Sequence, residues 1–349
     1  MESVYCFAPE GISIVDVQEK KVIQTIEAPG HSWSDGVVTK DQKFILMNDP
    51  RGSQVVVLDL QKNEIVKTIP VGKAPIHLYL TPDGREVWTH SDVEGSLYAI
   101  DVATMSIMAK VDASLTGKGH GKLLVHHEMG NKGNATNAID SAIHVVDTLN
   151  KKVTGTIGTS GVTHGKAYSP VSKHAYMTVG ATGLAVIDPQ TDTSLKEIDG
   201  GGQVFVSRDG KTLIANRRQQ GELVVIDAIS DEVIAKIACP GGPDHVFIFE
   251  IQSGRQYALS INVEGSTVSV HDLEARNTVK TIPIGNIIIP EGQQHVHRNG
   301  DADKRSLFVP SSASQTLDIV DSESLDLTSV PLGMKVQQAV YVGKDGIAH

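Results

Sequence analysis

Apolar positions in this chain fall in short alternating runs, with no sustained helical period. Residues 71–111, VGKAPIHLYLTPDGREVWTHSDVEGSLYAIDVATMSIMAKV, show the pattern. An inner strand at 77–80 leads to the turn Pro82-Asp83-Gly84, and a second strand at 86–89 runs into a polar loop. A third strand ends at Asp101 and an outer strand closes near Val111. Val, Ile and Tyr alternating with polar residues suit half-buried strands, and Asp-Gly suits a tight hairpin.

The same unit recurs along the chain. A β-branched run closing on Asp appears as SIVD at Asp16, VVLD at Asp59, YAID at Asp101 and HVVD at Asp147. It continues as AVID at Asp188, VVID at Asp227, SVHD at Asp272 and DIVD at Asp321, with successive anchors 39 to 49 residues apart. Four short strands per period of that length predict an all-β fold, a closed β-propeller of four-stranded blades. Eight anchors predict eight blades; one degenerate unit would leave seven. The most irregular unit is 120–147, which carries the loop-like GNKGNATN at 130–137. Each anchor Asp is expected to accept hydrogen bonds from the backbone of the turn that follows it.

The chain ends belong to one blade in this reading. Only one strand, 4–8, precedes Asp16, so the first unit lacks an inner strand, and VQQAVYVGKDG at the other end supplies one with its turn at 343–346. Sharing a blade leaves no open sheet edge. The whole of 1–349 is then expected to form a single propeller domain.

Three segments, APIHLYLTPDGREVWT, GGGQVFVSRDGKTLIAN and KVTGTIGTSGVTHGKAYSP, resemble the YVTN-type and cytochrome d1-like propellers, and the likeness runs over nearly the full chain. The resemblance implies the fold. It implies little about activity, because such propellers host many functions. It also implies a periplasmic or extracellular location. The opening MESVYCFAPEGISIVD has no basic segment followed by a long apolar stretch, so no signal peptide is expected in this chain and a cytoplasmic location stays open.

Composition narrows the partners. Lys and Arg number 31 against 41 Asp and Glu, a net charge of −10, which argues against nucleic acid or an anionic membrane as main partner. No apolar run approaches the roughly 20 residues of a transmembrane helix. Cys6 and Cys239 have no metal-ligand spacing and read as buried small side chains. Phosphate-loop, HExxH, CxxC, CxxCH and GxSxG motifs are absent from the sequence.

The 14 histidines carry the chemical signal. Numbering the shared blade as one, the start of the inner strand holds His31 in blade two, His77 in three, His120 in four and His164 in five. Gln203 takes the position in blade six, His245 in seven, His295 in eight (with His297 two residues on), and Gln337 and Gln338 in blade one. Equivalent positions on inner strands are expected to gather imidazoles at one mouth of the central channel, where several could reach one metal ion. His90 and Asp92, in the loop after the second strand of blade three, and Arg217 and Arg218, in the same loop of blade six, are expected to open on that mouth. Asp35, Asp49, Asp140 and Asp244 are candidates to orient imidazoles or to ligate the metal directly. For any single histidine, a structural hydrogen bond to the neighbouring blade competes with ligation. His126 and His127 fall about 20 Å further along the strand and are expected near its opposite end. His144 and His271 fall in third strands and read as packing residues.

Four functions fit this pattern. The first is a copper centre, redox-active on a small anion steered by Arg217 or Arg218; histidines lining a propeller channel are similar in arrangement to the copper domains of nitrous oxide reductase and thiocyanate dehydrogenase, which have seven blades. The second is a zinc or copper carrier without catalysis, similar to periplasmic zinc-chaperone propellers. The third binds heme d1, with a ring histidine as axial ligand and Arg217 and Arg218 meeting its carboxylates. The fourth is a protein-interaction scaffold.

Overall fold

The computed structural model describes residues 2–288 and 300–344. The protein is an eight-bladed β-propeller: its strands form eight antiparallel sheets of four, so the seven-bladed alternative falls. By internal contacts the chain divides into two compact units, residues 34–215 with 226–234, and residues 1–33 with 216–225 and 235–349.

All eight anchor aspartates do what their position predicts. Asp16 accepts from the Glu19 amide, Asp59 from Gln61 and Lys62, Asp101 from Thr104, and Asp147 from Leu149 and Asn150. Asp188 accepts from Gln190, Asp227 from Ile229 and Ser230, Asp272 from Glu274 and Ala275, and Asp321 from Glu323 and Ser324. Four residues after each anchor the backbone turns left-handed, at Lys20, Asn63, Met105, Lys151, Asp192, Asp231, Arg276 and Leu325, with φ between 51° and 58° except at Lys20, where φ is 50°. None of the eight is glycine, so this shared conformation leaves no glycine signature in the sequence.

In the unit containing residues 1–33, Gln338–Val342 pairs antiparallel with Ser3–Ala8, which pairs with Gly11–Asp16 and it in turn with Lys21–Glu27. The two ends of the chain do complete one blade. Second and third strands are buried almost throughout (Ser3–Ala8 and Gly11–Asp16 completely), whereas the outer strand Lys21–Glu27 is mostly exposed. Apolar clusters lie between successive blades of this unit: Phe247, Leu259 and Val268 meet Leu307 and Val309, and Phe308 and Leu317 meet Val4, Cys6 and Tyr341.

In the other unit, Leu46, Val55 and Val57 pack on Leu78, Val87 and Ile100, and Trp88, Leu97 and Ala99 on Leu123, Ala135 and Val146. Its inner strands Gly36–Val38, Pro75–Leu80, Gly121–Val125, Thr163–Tyr168 and Val204–Val206 neighbour one another in that order. The turns that close three of them share one device: Thr39, Thr81 and Ser207 each donate a hydroxyl to the Asp two residues on, at 2.7 Å. Segment 130–137, loop-like in composition, is largely the strand Lys132–Asn137, paired on one side with Gly121–Val125 and on the other with Ala142–Asp147. Pairing on both edges outweighs the weak strand propensity of Gly and Asn.

Candidate functional site

The site is built on the inner strands of blades three, four and five, all within the unit 34–215 with 226–234. His77 lies in Pro75–Leu80 and His164 in Thr163–Tyr168, and each strand has a register shift at its histidine, between Pro75 and Leu78 and between Thr163 and Lys166. A bulge of this kind re-aims a side chain out of the regular alternation. Gly165 makes the second bulge possible, because a β-carbon there would stand 2.8 Å from Gln203 Cα and 2.9 Å from the Gly202 carbonyl oxygen. His120 immediately precedes Gly121–Val125.

The structure brings these three imidazoles together. The His120 ring centroid lies 5.1 Å from that of His77 and 5.0 Å from that of His164. Their orientation is set from behind. Asp92 bridges two histidines, taking His120 Nδ1–H at 2.6 Å on Oδ2 and His90 Nδ1–H at 3.0 Å on Oδ1. Burial pushes the Asp92 carboxyl up, but the hydrogen bonds from His120 and His90 prevail and hold it below the usual carboxylate range. His77 Nδ1 is 3.4 Å from Asp35 Oδ2, which also accepts the Leu78 amide at 3.2 Å. Asp301 takes an inner-strand amide in the same way, that of Tyr341 at 2.8 Å, so the Asp35–Leu78 bond is a repeated link between blades.

His90 is fully buried, with Nε2 2.5 Å from where a Gly121 β-carbon would stand. It packs behind His120. Among the described residues, no three or more His, Cys, Asp and Glu donors are already set to hold one metal ion.

His31 and His245 belong to the other unit. The His31 ring lies tilted against Trp33 with centroids 4.7 Å apart, and His245 Nδ1 lies 3.8 Å from Asp244 Oδ2. Arg217 and Arg218 each meet a glutamate, Arg217 Nη1 donating to Glu222 Oε1 at 2.8 Å and Arg218 Nε to Glu264 Oε1 at 3.1 Å. His295 lies outside the described residues. His126 stacks on Tyr168 at 4.2 Å beyond the end of Gly121–Val125, and the buried His144 meets Asp140 at 3.0 Å. His271 is buried among Ser260, Cys239 and Thr278, and burial pushes it down to about 4. Burial also raises the thiols of Cys6 and Cys239, as suits inert core residues.

A second layer was not singled out from the sequence. Two residues beyond each of the three imidazoles stand Tyr79, Lys122 and Lys166. Lys122 Nζ donates to Gln203 Oε1 at 2.9 Å, and Lys166 Nζ lies 4.8 Å from the Tyr79 ring centroid. Burial pushes the Lys166 ammonium down to about 8, against the pull of the Asp35 charge, and burial with that same charge raises the Tyr79 hydroxyl. Strand periodicity, applied outward from each histidine, is the signal that would have found this layer.

Fold and site together define an eight-bladed propeller carrying adjacent imidazoles and lysines on consecutive inner strands. The solved structures it resembles are propellers. Dihydro-heme d1 dehydrogenase NirN, in complex with DHE, superposes with a TM-score of 0.78 at 15% identity, over 98% of this chain and 75% of that one. Apo AztD from Citrobacter koseri gives 0.69 at 15%, over 100% and 98%. The periplasmic gluconolactonase PpgL of Pseudomonas aeruginosa gives 0.62 at 16%, over 82% and 97%. The likeness to cytochrome d1-like propellers therefore holds for the fold. No protein-family model and no curated protein sequence matches the chain. No helix among the described residues is long and apolar enough to cross a membrane.

Proposed function

We propose that this propeller binds a late first-row divalent metal ion, zinc or copper, through His77, His120 and His164. The supporting observation is the Asp92–His120 hydrogen bond beside two further imidazoles. A carboxylate on Nδ1 fixes the tautomer that leaves Nε2 for a metal, the usual arrangement behind a metal-bound histidine. Ring spacings of 5.0–5.1 Å suit neighbouring ligands of one ion, whose nitrogens each approach to about 2.0–2.1 Å for zinc. The rings must still turn to converge, which favours a site that forms on loading and releases its ion: a carrier rather than a permanent redox centre. His90 acts through Asp92 as a positioning residue. Where the chain meets its metal, the periplasm is the proposed compartment, as for the gluconolactonase among its structural neighbours.

The test is metal analysis and calorimetric zinc titration of the purified protein beside the triple variant His77→Gln, His120→Gln, His164→Gln. One ion per chain, lost in the variant with the melting transition retained, supports the reading; equal binding by both overturns it. A second reading, a d1-type tetrapyrrole with a row histidine as axial ligand, is favoured by Lys122 and Lys166, which could meet its carboxylates, and by the likeness to NirN. A visible absorption band on adding that haem would decide for it.

A further inference from the structure

We propose that the loops at the histidine end of blades three, four and five form a docking surface for a second copy of this chain, in a two-fold dimer joined by Val93, Leu115, Ile139 and Val162. This goes beyond metal binding and is testable without any metal.

Strand order places the four residues. Each blade is an antiparallel sheet whose inner strand starts at the histidine end, so the loop after a second strand and the loop after an outer strand both return to that end. Four consecutive returns, 92–95, 113–120, 138–141 and 159–162, each carry one exposed branched aliphatic residue. Leu115 is exposed by 70% and Val162, the least of the four, by 40%. In the same unit the returns 50–53, 180–182 and 200–203 hold no Val, Ile, Leu or Met, and Val71 of 71–74 packs on the core. The apolar residues are therefore confined to blades three to five.

The four loops are tied into one surface. The Val93 amide donates to the Lys73 carbonyl at 3.4 Å, and the Gly119 amide to the Asp92 carbonyl at 2.8 Å. The Leu115 amide donates to Asp140 Oδ2, next to Ile139, at 2.7 Å. The Asn137 amide donates to Thr163 Oγ1, next to Val162, at 3.1 Å. Loops fixed before a partner arrives lower the ordering cost of association. Single exposed apolar side chains are ordinary, but one on each of four linked, neighbouring loops marks an interaction site.

The charges on this surface select the occupant. Lys73 and Lys118 are exposed, and among the described residues neither ammonium enters an ion pair. Asp112, exposed at the end of Ser106–Asp112, accepts the Ser96 hydroxyl at 2.8 Å and enters no ion pair among the described residues. The other carboxylates are engaged: Asp92 by His90 and His120, Asp140 by His144, and Glu94 by Lys110. Open charges of both signs around aliphatic residues make the surface complementary to itself. A two-fold axis through it sets Lys118 of each copy against Asp112 of the other. An acidic partner would leave Asp112 opposed, a basic one would leave both lysines opposed, and an anionic membrane would face a chain of net charge −10.

The experiment is sedimentation equilibrium of metal-free protein in EDTA over a range of concentrations. The expected result is a monomer–dimer equilibrium whose dissociation constant rises about ten-fold or more in Leu115→Ser. It should be unchanged in Leu149→Ser, an equally exposed residue in the turn after a third strand, at the other end of its blade. Lys118→Asp and Asp112→Lys should each weaken the dimer alone, and an equimolar mixture of the two variants should restore it, because the mixed pair regains both opposite-charge contacts. All substituted side chains are exposed, and a retained melting transition confirms that each variant folds. A wild type that stays monomeric at every concentration, a dimer indifferent to Leu115→Ser, or charge variants that fail to complement each other when mixed overturns the proposal.

Discussion

Asp92 holds His120 at 2.6 Å while its other oxygen holds His90, so one carboxylate sets the rotation of an imidazole in the row and of another packed behind it. Asn at this position keeps the shape but removes the charge that fixes both Nδ1–H groups. Asp92→Asn is expected to weaken zinc binding by about ten- to hundred-fold, the usual cost of losing such a partner. Competition against a chromophoric chelator measures it. An unchanged affinity would show that Asp92 only packs.

Behind that pair, His90 depends on a residue without a side chain. A β-carbon on Gly121 would stand 2.5 Å from His90 Nε2 and 2.6 Å from the Thr136 carbonyl oxygen, and the second of these belongs to the backbone. Gly121→Ala should therefore destabilise the fold by about 1–3 kcal/mol. It should also disturb zinc affinity through the His90–Asp92–His120 chain. Urea unfolding reads the first effect and the chelator assay the second.

His271 makes stability fall in mild acid. Its folded-state value of about 4 lies below the ordinary histidine value near 6.5, because burial disfavours the imidazolium. As pH drops through about 6.5 the unfolded chain takes up a proton that the folded chain refuses, so stability declines until pH nears 4 and then levels. The loss across that window is up to about 3 kcal/mol. Urea midpoints at pH 7 and pH 4.5 should differ less in His271→Gln than in the wild type; an equal difference would remove His271 as the cause.

Lys20 tests the repeated hairpin. Its φ of 50° is left-handed, and its exposed side chain contributes only a hydrogen bond to Thr328. Lys20→Val puts a β-branched side chain where that conformation is least tolerated and should cost about 1–2 kcal/mol. Lys20→Gly relieves the backbone and should show no such loss. The two urea midpoints side by side separate backbone strain from the lost hydrogen bond.

Much of the fold was legible because it is written locally and repeated. Eight Asp anchors, each bonding amides two or three residues away, mark eight hairpins whatever lies around them, and a strand at each end of the chain with no partner nearby pointed to a shared blade. The strand Lys132–Asn137 was obscured because its pairing comes from neighbours, not from the propensity of Gly and Asn.

The site divides along the same line. Sequence alone put an imidazole at one position of successive repeats, because repeat position is a property of chain order. Tertiary structure decided which of them meet: register shifts at His77 and His164 and a carboxylate behind His120 bring three side by side. It also decided that Lys122 reaches Gln203 and that Lys166 reaches the Tyr79 ring. Chain order specifies which face a side chain starts from, but a long flexible side chain ends wherever the neighbouring strands offer it a partner, and those neighbours are more than 40 residues away.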